Sequence, residues 1–242
     1  MLVLFNNLKN KDKKKAVDHL VVGSTPSQDF FLMVILSILT ATFGLLINNT
    51  AVIIGSMLIA PILYPILSLS LGIIMSDSKL TQRSLYTIFK SIILGVITAA
   101  LATLLFASHY TQLTPEIVSR TEASLPYIAI AISAGFAGTF ALVKPQLNET
   151  LPGIAISVAL IPPIAVMGIG LARFDWEIIS GSLLLFLVNA VGVVFASMMT
   201  FSLMNFYLQK NEARKKVAEE DEKEAIERRE LESKQEEKKI SF

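Results

Sequence analysis

The sequence predicts an all-α integral membrane protein: six transmembrane helices forming an inverted three-plus-three repeat, with Pro-broken second and fifth helices and a charged cytoplasmic C-terminal helix. Three observations lead there. The first is the distribution of charge. The 242-residue chain is 53% apolar and 17% charged, with a mean hydropathy of +0.60. No charged side chain occurs across the 47 residues from Phe30 to Ser76. At about 1.5 Å per residue that run is roughly 70 Å of helix, against a hydrocarbon core of about 30 Å. It must cross, turn and cross back. Each charge placed in lipid costs about 2.5–3.5 kcal/mol on insertion scales, which explains the segregation.

The second observation is a pair of interrupted apolar segments. Ile54 to Ile66 reads IGSMLIAPILYPI, and Ile154 to Ile164 reads IAISVALIPPI. Each follows an Asn-X-Thr triplet, Asn48-Asn49-Thr50 and Asn148-Glu149-Thr150. Aligning Ser56–Pro61 with Ser157–Pro162 lays the first three spans over the last three. An odd number of helices per repeat inverts the second half, an architecture of many secondary transporters. The third observation is the loop charge. Lysines at 9, 11, 13, 14 and 15, then Lys79, Arg83 and Lys90, then Lys144, then Lys210, Arg214, Lys215 and Lys216 fall on one side. Arg120 and Arg173 fall on the other. The positive-inside rule puts both termini in the cytoplasm.

In order along the chain, residues 1–28 form a basic cytoplasmic N-terminal segment without an apolar run of spanning length, so no cleaved signal peptide is expected. Residues 29–208 hold the transmembrane domain, with spans at roughly 30–48, 50–75, 86–108, 124–143, 151–171 and 179–207. Tyr110, Tyr127 and Trp176 mark the outer boundary and Tyr86 and Tyr207 the inner one, as interfacial aromatic belts do. Residues 209–242 are a charged cytoplasmic helical tail. Its acid-first pairs Glu212/Lys216, Glu219/Lys223 and Glu224/Arg228 favour an exposed helix. Val217, Ala225, Ile226 and Leu231 make no steady heptad, so a solvated, fraying helix is expected there.

The candidate pathway follows from the prolines. A proline inside a helix removes one N–H and clashes with the carbonyl four residues back. On that geometry Pro61 frees the carbonyl of Met57, Pro65 that of Pro61, and Pro162 and Pro163 those of Val158 and Ala159. In lipid those oxygens need a hydroxyl, a water, a neighbouring helix or a cation. Ser56 and Ser157 are the nearest hydroxyls, and Tyr64 and Asn189 are further polar groups at depth. The alternative is that the prolines are only packing kinks. Asn48, Asn49, Thr50, Asn148, Glu149 and Thr150 are either N-caps of tight hairpins or the lining of a pathway. Glu149 is the candidate for proton or cation coupling, unless Lys144 pairs with it structurally. His109 stands alone near an interface. On the fourth span Ala131, Gly135 and Thr139, beside Ala134 and Gly138, form a small-residue face suited to an internal or subunit contact.

No cysteine is present, which excludes disulfides and thiolate chemistry. No metal-ligand cluster, nucleophile elbow or phosphate-binding glycine loop occurs, so neither an enzyme nor a cofactor is expected. The basic residues flank spans, so no nucleic-acid partner is expected.

Gly55-Ser56-Met57-Leu58-Ile59-Ala60-Pro61, followed by Pro65, Gly72 and Asp77, resembles the signature of a membrane family of bacteria and archaea, domain of unknown function 389. The family form is similar to G-A-M-L-I-A-P-L-x-x-P-I, with Ser56 standing where alanine is common. The resemblance covers roughly residues 30–205. Many members look to carry a soluble N-terminal region longer than the 28 residues that precede the transmembrane domain here. It implies a prokaryotic multi-pass protein of the inner membrane and supplies no substrate.

The expected function is therefore a transporter or channel for a small solute or ion, with its site at the broken helices near the bilayer midplane. The competing expectation is a non-transporting scaffold or sensor acting through the charged tail. The partners expected are the lipid bilayer and further copies of the chain, a dimer being favoured.

Overall fold

The computed structural model describes residues 10–106, 112–144, 147 and 159–240. All regular structure among them is helical. The helices are α1 (Asn10–Gly23), α2 (Gln28–Leu46), α3 (Thr50–Ile59), α4 (Leu63–Ile74), α5 (Ser78–Phe106), the single turn α6 (Pro115–Val118), α7 (Leu125–Val143), α8 (Ile161–Arg173), α9 (Trp176–Leu203) and α10 (Lys210–Ile240). Four of them, α2, α5, α7 and α9, are long and apolar enough to cross a bilayer. The pair α3 and α4, bent by 51° at the break, counts as a fifth if it is one span. The sequence predicts six. Helix α8 has 13 residues, about 20 Å, too short to cross alone, and the chain before it lies outside the described residues.

Direction alternates along the chain. Lys90 lies over the Phe31 ring, a Cβ on Gly95 would touch Ile38, and Phe43 stacks edge-on with Phe106. Helices α2 and α5 therefore run parallel. Gly95 also faces Ile164, and Gly168 faces Val96 and Ala100, so α8 runs the same way. Ala131 against Gly192, and Gly135 against Val193 and Ala196, make α7 and α9 parallel.

Three tight turns share one construction. Asn48, Ser76 and Phe174 adopt left-handed φ values of 53°, 49° and 56°. The next residue in each case bonds back to a glycine carbonyl: Asn49 N–H to Gly44 O, Asp77 N–H to Gly72 O and Asp175 N–H to Gly170 O, at 2.8–2.9 Å. This is the Schellman closure. The same residue then caps the following helix, Asn49 accepting from Val52 N, Asp77 from Leu80 N and Asp175 from Ile178 N. One residue ends one helix with its backbone N–H and starts the next with its side chain.

The bundle is apolar outside and partly polar within. Leu85, Phe89, Ile93, Ile97, Leu101 and Leu105 form an exposed stripe along α5, while Ser84, Ser91 and Thr103 on the same helix are buried. An exposed apolar surface of this extent requires lipid or another apolar partner. Helix α8 is the centre of the bundle. Every residue from Ile161 to Gly170 is buried, against α2, α5 and α9.

This packing decides one expectation and corrects another. The small-residue face of the fourth span is used within the chain. A Cβ on Gly135 would come within 2.9 Å of Val193 Cα and Ala196 Cβ, so the face already holds α9 and is closed to a second copy. The charged tail is not a freely solvated helix over its first half. Ala213 and Val217 of α10 are fully or almost fully buried, and α10 packs on α1 and α5. The acids read as intrahelical partners are drawn away, Glu212 to Lys14 at 2.7 Å and Glu224 to Arg83 at 3.2 Å.

The basic N-terminal segment contains α1, which the sequence reading passed over. Ala16, Val17, Leu20 and Val21 are its buried residues, one stripe of a 3.6-residue period, with Lys11, Lys14, Lys15 and Asp18 facing out.

Candidate functional site at the helix breaks

Helix α3 stops at Ile59 because Ala60 precedes a proline. A residue in that position is driven from the helical region, and Ala60 is extended at φ −83°, ψ 129°. Pro61 has no N–H to continue the ladder. Helix α4 then begins at Leu63 with Pro65 in its first turn. The Pro61 carbonyl, expected to be freed by Pro65, accepts instead from Tyr64 N–H at 3.2 Å. Ser56 does not reach past the break. Its hydroxyl donates back to Ile53 O at 2.6 Å, and its carbonyl accepts from the Ser37 hydroxyl of α2 at 2.6 Å.

The second proline pair behaves differently from its reading as a mid-helix break. Pro162 and Pro163 sit in the first turn of α8, after Leu160 as N-cap. Proline suits that position, because first-turn N–H groups have no partner within the helix. Two of the donors that would lie bare in an apolar core are simply absent. Before them Ala159 is held left-handed at φ 47°, a conformation costing an alanine about 1–2 kcal/mol. Its carbonyl accepts from Asn189 Nδ2 of α9 at 3.5 Å, and Asn189 is 2% exposed.

Both interruptions lie at one level, nearer the start of α2 but at the middle of α9, where Asn189 is the fourteenth of the 28 residues. Ser37 is nine residues into α2, about 14 Å from its start, and the antiparallel α3 carries the chain from Ser56 back about 6 Å to Ala60. The first break is thus about 8 Å from the α1 end of α2 and about 20 Å from the other. Ile38 and Ile164 meet at Gly95, which puts the start of α8 about 10 Å from the same end.

Helix α8, whose first turn holds Pro162 and Pro163, touches α3, which carries Ser56, and α9, which carries Asn189, touches α4, which carries Tyr64 and Pro65. The first triplet lies at the opposite end. Asn49 is the N-cap of α3. Asn48 Oδ1 accepts from Glu116 N–H at 3.3 Å, and the Thr50 hydroxyl donates to Glu116 Oε1 at 2.5 Å. Arg120 then binds the other Glu116 oxygen at 3.2 Å. Asn148, Glu149, Thr150 and Ser157 lie outside the described residues, as does His109. A cavity of about 240 Å³ lies between the α6 segment and the α8–α9 turn, lined in part by Thr121, Glu122, Asp175 and Glu177.

Sequence reasoning passed over Ser37, the left-handed conformation of Ala159 and the contact of Tyr64 with α1. Ser37 had a visible signal, being one of few hydroxyls in the first span. Ala159 had none, since nothing local forces an alanine left-handed.

Asp77, the last residue of the motif, is also placed. It is 2% exposed, and Arg214 Nε donates to its Oδ2 at 2.7 Å. Burial pushes its carboxyl up, but the Leu80 N–H, the Arg214 hydrogen bond and the charges of Arg214 and Lys210 outweigh that and hold it below its ordinary value.

These features define a multi-pass helical membrane protein with a helix pair bent by 51° beside a central buried helix. A family model described as "Domain of unknown function (DUF389)" matches residues 57–195, and the chain belongs to that family. An uncharacterised protein of the archaeon Methanocaldococcus jannaschii is 34% identical over 179 residues, covering 73% of this chain and 54% of the relative. The chain thus spans about half the length of that curated relative. No solved structure matches it.

Proposed function

We propose that the chain carries or conducts a small solute or ion across the membrane, at the junction of α3, α4, α8 and α9. The observation that carries this reading is the polar supply at the two breaks. Ser37 and Asn189, on the unbroken helices α2 and α9, reach the carbonyls of Ser56 and Ala159 beside the interruptions. Irregular backbone at membrane depth is tolerated where it is buried in protein or lines a cavity, and transporters place substrate sites at such interruptions.

An inverted repeat underlies this reading. Pro65-Ile66, Gly72 and Ser76-Asp77 recur as Pro163-Ile164, Gly170 and Phe174-Asp175 at the same spacing, and both stretches end in the same left-handed, Asp-capped turn. Packing is reciprocal, with α4 against α9 and α8 against α5. The parallel pairs α2/α5 and α7/α9 are what two opposed halves supply. In this arrangement six spans place both termini in the cytoplasm of a prokaryotic inner membrane, and the breaks lie toward that side.

The scaffold or sensor reading draws support from one observation, the docking of α10 on α1 and α5. The two readings separate in reconstituted vesicles. Flux of ions or small neutral solutes that falls in Asn189→Leu supports transport. A folded protein with no flux across such a panel supports the scaffold.

A further inference from the structure

Helix α1 lies directly against the first break. Gly23 is so close to Tyr64 that a Cβ would come within 2.8 Å of the ring. The Ser24 hydroxyl donates to Ser68 Oγ at 3.1 Å, and the Thr87 hydroxyl donates to Ser24 O at 3.1 Å. Leu20 and Val21 have no exposed surface. Helix α1 thus covers α4, and the junction it starts from, at the end of the bundle nearest the breaks.

Helix α10 lies against the charged half of α1, and its attachment is mostly ionic. Its well-buried apolar residues are Ala213 and Val217. The remaining links are Lys14 to Glu212 at 2.7 Å, Arg214 to Asp77 at 2.7 Å, Lys210 Nζ to Ser76 O at 2.9 Å, and Arg83 to both Asp221 and Glu224. These links differ in their access to solvent. The side chains of Lys14 and Glu212 are 50% and 38% exposed, Arg214 is 56% exposed although its partner Asp77 is 2% exposed, and Arg83 and Glu224 are only 8% and 19% exposed. Salt shortens the screening length from about 10 Å at 0.1 M to about 3 Å at 1 M, and acts on exposed pairs far more than on buried ones.

We propose that α10 is an ionic strap, which holds α1 across the breaks at low ionic strength and loosens from α1 as salt rises. Loosening begins at Lys14–Glu212, the pair with both side chains well exposed, and α1 loses the helix that backs it. Arg83, which also bonds Thr25 Oγ1 at 2.9 Å on the α1–α2 turn, keeps its partners longest. The proposal makes the pathway responsive to cytoplasmic ionic strength, and it rests on the transport reading of the breaks.

The chain has no cysteine, so spin labels can be placed at will on the exposed positions His19 and Glu222 of the full-length protein. The label separation is expected to lengthen and broaden between about 0.05 M and about 1 M KCl. Glu212→Lys should show the lengthened population already at low salt, and Lys14→Glu combined with Glu212→Lys should restore the short one. A distribution identical at both salt concentrations overturns the strap. In vesicles the same salt step should raise flux roughly threefold or more, the scale of one or two exposed ion pairs. Loosening without a change in flux overturns the gating role and leaves the pathway standing. Absence of flux under all conditions overturns the pathway instead, while the label distances still report on the docking of α10.

Discussion

Asp77 and Asp175 occupy the same place in two turns, each twelve residues after a proline, Pro65 and Pro163. Each follows a left-handed residue, closes on a glycine carbonyl and caps the next helix. They differ in what else they hold. Asp77 is buried against Arg214, whereas Asp175 borders the cavity at the other end.

That difference predicts unequal mutational cost. Asp77→Ala removes a cap worth about 0.5–2 kcal/mol and strands Arg214, whose half-exposed side chain limits the added loss. We expect about 1–3 kcal/mol of destabilisation for Asp77→Ala and about 1 kcal/mol for Asp175→Ala, read by denaturant titration in detergent. Equal losses would contradict the tie between Asp77 and α10.

The docking of α10 should depend on acid. Asp77, Glu212 and Glu220 are all held below their ordinary values, 3.8 for Asp and 4.5 for Glu. A carboxylate depressed in the folded state stabilises it above the unfolded pKa and loses that contribution as pH falls through the folded value. Docking should be unchanged from neutral pH down to about pH 5 and weaken below about pH 4. The His19–Glu222 label distance reports it, and release already at pH 6 would implicate another group.

Glycines on the two faces should respond oppositely. Gly135→Leu drives a side chain into Val193 and Ala196, and should lower the yield of folded protein without changing its oligomeric state. Around Gly55 a Cβ meets nothing within 4 Å, so Gly55→Ala should stabilise α3 by about 0.5–1 kcal/mol. Light scattering in detergent alongside the titration separates fold from association. Dissociation of an oligomer by Gly135→Leu in an otherwise stable protein would overturn the internal assignment.

The apolar spans were legible because their signal is a long average over many residues. The break at Pro61 was legible because two local rules, the missing N–H and the restriction of Ala60, act within three residues. The hydrogen bonds at the breaks were not. Pro65 and Pro162 read locally as interior prolines, but a chain that restarts after a turn makes them first-turn residues. The docking of α10 was hidden for a similar reason. Glu212 and Glu224 have acceptable partners four residues on, and only the fold shows that Lys14 and Arg83 compete for them. Helix α1 was legible, since Ala16, Val17, Leu20 and Val21 show helical spacing, but an apolar stripe four residues wide is faint beside a cluster of lysines.

Orientation can be tested by thiol accessibility. Cysteines at Ser124 and Arg173 should react with impermeant reagents from outside the cell, and cysteines at Lys79 and Lys144 should not. Labelling of Lys144→Cys from outside would contradict opposed halves.

The pathway itself is tested most directly by flux through vesicles containing Pro61→Ala, Pro162→Ala or Asn189→Ala protein. Pro162 is in the first turn of α8, so alanine there should leave the fold intact while adding an N–H donor at the break. Asn189→Ala removes the one side chain seen to reach Ala159 O among the described residues. The account predicts that all three proteins fold and that flux falls in each, by about tenfold or more in Asn189→Ala, as the loss of a hydrogen-bonding group of about 1.4 kcal/mol implies. Flux equal to that of the unsubstituted protein in all three would mean that the breaks are packing devices and that the solute crosses elsewhere.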